Sequence, residues 1–385
     1  MKIISVVGAR PNFMKAAPFI HEINKYNEIN NNIINHLLVH TGQHYDDRMS
    51  VKFFKDLNIP NADINLGIGS GTHSEQVGKT MIEFEKILFK ENPDWVVVFG
   101  DVNATLACSV AARKLHIKVC HIEAGLRSGD ETMPEEINRL VTDRISNLLL
   151  VPDKLSIENL LKEGVPKDRI GFVGNIMIDT LENHKEQASK KNIKEIIANN
   201  IFKNQKNINE IEKNNFGIIT MHRPSNVDDK KILEPIIQFF IEEVSKKTPL
   251  IWPVHPRTKK QLILFNLWDE LLANKNIILL YPVGYHDMLK LNMDSNIMFT
   301  DSGGLQEECT ILGTKCLTLR WNTERPITLK EHGGVSLLVG NDVHKIRNSY
   351  NEIINIDFKP TYPKYWDGDT ANRCLKNIIN YNEKN

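Results

Sequence analysis

Two α/β domains, each built on a doubly wound parallel sheet, are the architecture this sequence predicts. Three observations lead there. At 385 residues the chain exceeds the ~100–200 of an ordinary domain, so two cores are expected. Short apolar runs alternate with amphipathic stretches in both halves, which implies parallel strands joined by helices. The residues able to do chemistry fall directly after those runs, where the carboxyl ends of such strands lie.

In the first half, Lys2–Val7 reads as a strand and Pro11–Lys25 as a helix with proline in its first turn. Ile33–His40 reads as a strand, Asp47–Leu57 and Glu75–Phe89 as helices. Trp95–Phe99, Val119–Ile122 and Leu148–Val151 read as strands, with helices over Asn103–Leu115 and Pro134–Asn147 between them. From Thr180 to about Asn215 the chain turns rich in Asn, Lys and Ile, as a charged surface helix and a mobile inter-domain connector would. The second half repeats the grammar. Phe216–Met221, Leu250–Val254, Ile277–Tyr281, Ile297–Thr300 and Cys316–Leu319 read as strands, and Asp369–Ile379 as a closing helix.

Composition excludes several classes. Lys plus Arg and Asp plus Glu number 48 each, so the chain is no general binder of nucleic acid or anionic membranes. No run approaches the ~18–20 apolar residues of a membrane span. The apolar start lacks a cleavage-site pattern and reads as a buried strand. Cys108, Cys120, Cys309, Cys316 and Cys374 show no CxxC spacing, as expected of reduced core residues in a cytoplasmic protein without a metal centre.

The strand ends carry the chemistry. Gly8-Ala9-Arg10-Pro11 follows the first strand, and its proline opens a helix whose free N–H groups, with Arg10 and Lys15, suit a diphosphate. Asp101 and Glu123 each follow a buried strand; one helix joins those strands, so right-handed crossover sets both carboxylates in one crevice. Glu135 and Glu136 follow Pro134 in a helix first turn, so acids cluster there and raise one another's pKa, as proton abstraction and return require. His222, followed by Arg223, ends another strand, whereas His255 between two prolines serves a rigid turn. Thr300-Asp301-Ser302-Gly303-Gly304 is a strand, a turn and a helix start. Ser302, Gly303 and Gly304 let backbone N–H groups approach a phosphate, and Glu308 one turn on can accept from ribose hydroxyls. Arg325 places a further cation at the same edge. Gly67-Ile68-Gly69-Ser70-Gly71 with Gly78-Lys79-Thr80 is a decoy, because the spacing of a phosphate loop is wrong; a helix capped by Thr72 or Ser74 is expected instead.

Ten motifs in order, GARPNFMK, TGQHYD, FGDVNATLA, HIEAGLRS, MPEEINR, GNIMID, MHRPSN, PVHPRT, TDSGGLQEE and TERP, resemble those of the non-hydrolysing UDP-N-acetylglucosamine 2-epimerases from about Met1 to Gly340. The resemblance implies a glycosyltransferase-B-type fold: Rossmann-like domains over 1–178 and 179–365, a helix at 366–385 crossing back to the first, and an active site in the cleft between the two. It implies a cytoplasmic homodimer, formed through the N-terminal domain, that serves cell-surface polysaccharide biosynthesis. It implies no metal and no cofactor. UDP is eliminated across C1 and C2, leaving bound 2-acetamidoglucal, and adds back with C2 inverted to give UDP-N-acetylmannosamine. By motif match Asp101, Glu123 and Glu135 fall on the catalytic acids and His222 on the catalytic histidine. Arg10, Lys15, Ser302, Gly303 and Gly304 fall on phosphate contacts, Glu308 on the ribose contact and Arg325 on the arginine of TERP.

Three positions depart from the family pattern. Ser225 replaces a glutamate, and Asp46 stands where substrate-activated members carry glutamine, so allosteric activation is not expected. Met288 stands where several members place an aromatic against uracil. The QHYD and RPNFMK forms also resemble members acting on 2,3-diacetamido uronic sugars, which makes that sugar the alternative substrate. A glycosyltransferase of the same fold, a nucleotide-sugar sensor and a hydrolysing epimerase are the remaining rivals.

Overall fold

Trp95-Val96-Val97-Val98-Phe99 is buried at every position, as a strand covered by helices on both faces must be. In the computed structural model, which describes residues 1–31, 33–42, 61–205 and 209–384, it is the centre of a seven-stranded parallel sheet. The strands are β1 (Lys2–Val7), β2 (Asn35–His40), β3 (Ile64–Asn65), β4 (Trp95–Phe99), β5 (Lys118–Ile122), β6 (Leu148–Val151) and β7 (Ile170–Phe172). Their order is β3-β2-β1-β4-β5-β6-β7, with Ile3 opposite Trp95 and Val98 opposite His121. The order reverses between β1 and β4, which opens a crevice at their carboxyl ends.

A second sheet repeats the plan with β8 (Gly217–Thr220), β9 (Leu250–Pro253), β10 (Ile277–Leu280), β11 (Ile297–Thr300), β12 (Lys315–Thr318) and β13 (Ser336–Leu338). All its pairs are parallel, in the order β10-β9-β8-β11-β12-β13, and the reversal lies between β8 and β11. Its core includes Trp252, Phe240, Phe299 and Tyr350. The chain divides into two compact units, Met1–Asn183 with Pro363–Asn385, and His184–Tyr362.

The expected fold class is the observed one, and the differences are local. The first helix runs Arg10–Ile29, past the expected end. Strands β3, β7 and β13 are two or three residues long, too short to show a period in sequence. The segment read as a charged helix and mobile connector holds helices Ile176–Ser189 and Ile193–Asn200. Ile193, Ile196 and Ile197 are spaced as one helical face and pack into the second unit's core, which fixes the segment. Thr72 caps helix His73–Glu91 by accepting from Glu75 N, which disposes of the phosphate-loop decoy. The expected helix Asp47–Leu57 lies outside the described residues.

The closing helix, Thr370–Lys384, packs on helix Arg10–Ile29 within the first unit. Asp179 holds its start by accepting from Thr370 N at 3.1 Å and Ala371 N at 2.7 Å. Burial nonetheless raises the Asp179 carboxyl to about 6. Trp366 Nε1 donates to Pro152 O at 3.0 Å. All five cysteines are free and buried. Among the described residues, no helix is long and apolar enough to cross a membrane.

Candidate active site

In the first unit Asn12 ties together the two strand ends that flank the crevice. Its Oδ1 accepts from Ala9 N at 3.1 Å just beyond β1, and its Nδ2 donates to Phe99 O at 2.8 Å at the end of β4. Gly100 follows with φ +61°, and a Cβ there would come within 2.7 Å of Lys15 Nζ and 3.1 Å of Glu123 Oε2. The glycine lets the strand end turn beside these charged groups. Lys15, one turn into the first helix, forms a buried ion pair with Glu123. Glu123 itself takes φ +74°, a left-handed conformation that costs a residue with a side chain of order ~1–3 kcal/mol.

Asp101, one residue past Gly100, accepts from Arg139 Nε at 3.0 Å. Arg139 also pairs with Glu136, and Glu136 accepts from the N–H groups of Ser128 and Gly129, each at 3.0 Å. Burial works to raise the Glu136 carboxyl, but the two N–H groups and Arg139 outweigh it and hold the group below its ordinary range. Asn138 Nδ2 fixes the Asp101 carbonyl at 2.8 Å. The expected cluster of acids is therefore present around Asp101 and Glu123, but these two and Glu136 are each matched by a cation. Half-buried Glu135, the sequence candidate, sits on the same first helical turn without an ion pair to another described residue. Its neighbour Glu136 joins the network instead.

Beneath the crevice lies a buried pair the sequence reading missed. His121 Nδ1 is 2.6 Å from Asp143 Oδ1 and Nε2 is 2.8 Å from Gly100 O. The ring is thereby held between a carboxylate and a backbone carbonyl. Asp143 also accepts from Gly125 N at 3.0 Å and pairs with Arg127 at 2.7 Å. Burial alone would raise the Asp143 carboxyl, yet His121 and Arg127 hold it down. The network ties the Gly100–Asp101 turn to the turn that carries Glu123.

In the second unit Asp301 is the anchor at the end of β11. Its Oδ2 accepts from His222 N at 2.9 Å, Arg223 N at 2.8 Å and Asn226 Nδ2 at 3.1 Å, which fastens the end of β8 across the strand reversal. Its Oδ1 lies 2.8 Å from His222 Nδ1. Burial opposes the Asp301 charge, but His222 and the two backbone N–H groups keep the carboxyl below its ordinary range. The His222 side chain is 43% exposed. Its Nδ1 is thus taken by a carboxylate, and Nε2 is left as the atom that can exchange a proton with a ligand. The His255 ring lies 5.5 Å away, and its Nδ1 accepts from Arg257 N at 3.2 Å, a turn support as expected.

Ser302 precedes helix Gly303–Leu312, whose first N–H groups face out from the strand end. A Cβ on Gly303 would sit 2.8 Å from Arg325 Nη1. Arg325 reaches this turn but is balanced by Glu324 and by Glu307, the latter at 2.7 Å. Glu308 is buried against the Tyr285 hydroxyl and the Asn292 amide. Burial, with a smaller push from Glu307, raises its carboxyl to about 7. Its Oε2 is buried beside the equally buried Tyr285 hydroxyl and Asn292 amide, without a well-formed hydrogen bond among the described residues. Of the remaining candidates, the Arg10 side chain lies outside what the structure describes, as do Gln43, His44 and Asp46.

Residues 27–379 match the family model described as UDP-N-acetylglucosamine 2-epimerase. The chain belongs to that family. A UDP-N-acetylglucosamine 2-epimerase of Methanocaldococcus jannaschii is 44% identical over 358 residues, 92% of this chain and 93% of the relative. A UDP-2,3-diacetamido-2,3-dideoxy-D-glucuronate 2-epimerase of Pseudomonas aeruginosa is 37% identical over 326 residues, 84% of each chain. The crystal structure of the M. jannaschii epimerase in complex with UDP-GlcNAc and UDP matches with TM-score 0.85 at 41% identity, covering 99% of this chain and 100% of that one. The fold is accordingly glycosyltransferase-B-like, as the motifs imply. The residues missed in the sequence are chiefly partners: Asn12, His121, Arg139, Asp143, Asn226 and Asp301. Asp301 had a signal, since it ends a strand at the point of reversal. His121 had none, since its role appears only when β4 and β5 pair.

Proposed function

We propose that the chain interconverts UDP-N-acetylglucosamine and UDP-N-acetylmannosamine by eliminating UDP and adding it back. Glu123 carries the reading: a buried carboxylate held in left-handed backbone, with Lys15 on it and Asp101 at the neighbouring strand end. The C2 proton of an intact sugar is not acidic. It becomes removable as the C1–O bond breaks and the electron pair of that bond leaves with UDP. One carboxylate of the group Asp101, Glu123 and Glu135 takes the C2 proton, and C1=C2 forms. In return, UDP oxygen attacks C1 while a second acid delivers a proton to the opposite face of C2. The sequence is redox-neutral and needs no electron carrier.

The remaining roles follow charge. Arg10, Lys15 and the N–H groups at Ser302, Gly303 and Gly304 receive phosphate oxygens, His222 stands by the diphosphate, Glu308 accepts from ribose and Arg325 steadies the turn. Assembly as a homodimer through the first unit, a cytoplasmic site of action and service to cell-surface polysaccharide synthesis belong to the same proposal. A second reading, a UDP-2,3-diacetamido uronic sugar as substrate, is favoured by the P. aeruginosa relative.

Chromatography of the nucleotide-sugar pool tests the proposal. Incubated with UDP-N-acetylglucosamine alone, the protein is expected to build up UDP-N-acetylmannosamine with no free sugar. Free N-acetylmannosamine and UDP would make it a hydrolase. Turnover of only the diacetamido uronate would install the second reading, and inertness toward both would point to a transferase or sensor.

A further inference from the structure

We propose that the first unit carries a separate site for a phosphate-type oxyanion at the amino-terminal edge of its sheet, formed by Arg113, Arg144 and Arg169. This edge is opposite the carboxyl edge, where the epimerase chemistry is proposed. A cavity of about 410 Å³ opens there, lined by the three arginines with Ile145, Ser146, Asn147 and Tyr381. Arg113 lies just before β5, Ser146 and Asn147 just before β6, and Arg169 just before β7. Six of the seven lining residues are polar and none is acidic, so the cavity suits a small anion and not an apolar ligand.

Cations at helix C-termini are ordinary, because they complement the helix dipole and cap carbonyl groups. That explains part of the arrangement. Arg113 Nη1 donates to Ile117 O at 3.4 Å, and Arg169 Nη2 donates to Ser146 O. It does not explain the convergence of three like charges. Among the described residues, none of the three has an ion pair, and Arg144 donates no side-chain hydrogen bond. The Nε–H of Arg169 is buried without an acceptor, a position that leaves a strong donor unused. Burial, and then repulsion from Arg113 and Arg144, lower the Arg169 pKa, with Tyr381 and Asp168 acting the other way. An oxyanion in the cavity supplies the missing acceptor and removes the repulsion together. Guanidinium groups match phosphate oxygens in pairs, so phosphate chemistry is the natural occupant.

Arg144→Glu is the decisive variant. The side chain is exposed and holds no hydrogen bond, so its exchange leaves the fold's own contacts in place. Wild type and variant are titrated calorimetrically with inorganic pyrophosphate, then phosphate, at constant ionic strength and with UDP saturating the epimerase site. Melting temperatures are read with and without pyrophosphate. Wild type is expected to bind pyrophosphate saturably beside UDP and to melt higher with it. The variant is expected to bind at least tenfold more weakly and to lose most of the rise in melting temperature that pyrophosphate gives wild type. A second equivalent of UDP bound by wild type and not by the variant would identify a nucleotide diphosphate as the source of the oxyanion; binding of pyrophosphate or phosphate alone would identify the inorganic ion. Equal pyrophosphate binding in both proteins, or none in wild type once UDP is present, would overturn the site. Failure of UDP itself to bind would count against the epimerase reading and leave the variant comparison intact.

Discussion

Glu123 concentrates the account at the scale of single residues. It is buried, paired with Lys15 and held at φ +74°, a left-handed conformation that is costly for a residue with a side chain. Glu123→Gln keeps the shape and removes one of the proposed acid–base carboxylates, so turnover should fall at least ~100-fold, the usual scale for such a group. Steady-state kinetics with UDP-N-acetylglucosamine decide it, and near-normal activity would remove Glu123 from the mechanism. Glu308 makes a different prediction. Its carboxyl stands at about 7 in the folded chain against 4.5 when exposed. Between those values the folded state holds a proton that the unfolded chain has lost, so Glu308 withdraws stability as pH rises through that window. At ~1.4 kcal/mol per unit, the total is on the order of 3 kcal/mol above pH 7. Glu308→Gln should therefore gain on wild type in urea unfolding at pH 8 and not at pH 4.5. Parallel curves at both pH values would contradict the burial argument.

Strands and turns carry the next level. Gly100 joins β4 to Asp101 with φ +61° and a side-chain-free face against Lys15 and Glu123. Gly100→Ala should cost about 1–3 kcal/mol of stability and also dislodge the ion pair, so that both the urea midpoint and turnover fall. An unchanged midpoint would show that the turn tolerates a side chain. These elements were largely legible in the sequence, because β4 and β6 are unbroken apolar runs, β11 is apolar up to its last residue, and Asp101, Asp153 and Asp301 follow within two residues. The same adjacency exposed Asp101, Glu123 and the Ser302-Gly303-Gly304 turn. What it could not expose was pairing across elements. The choice of Glu136 over Glu135 for the Arg139 network depends on which side of a helix turns inward. The contact of His121 with Gly100 depends on the register of β4 with β5. Ile193, Ile196 and Ile197 were hidden differently, since their period is helical but their surroundings are rich in Asn and Lys. Composition argued for a mobile connector, while burial of three isoleucines argues for a docked helix.

At the scale of the whole molecule, two sheets that share a strand order, the first with one strand more, each present chemistry at their reversal point. The first presents carboxylates matched by Lys15 and Arg139, and the second an Asp301–His222 pair beside a glycine turn. Light scattering on the purified chain should give twice its 44.1 kDa mass if it assembles as proposed; a single-chain mass would remove the homodimer. The measurement that bears most directly on the central claim is NMR of UDP-N-acetylglucosamine incubated with the protein in deuterated water. Elimination gives the C2 proton to a carboxylate that exchanges with solvent, and inversion returns a solvent deuteron to the other face. UDP-N-acetylmannosamine carrying deuterium at C2 is expected, with label entering the recovered substrate as well. Epimerisation that keeps the original hydrogen at C2, or no reaction at all, would contradict the central claim.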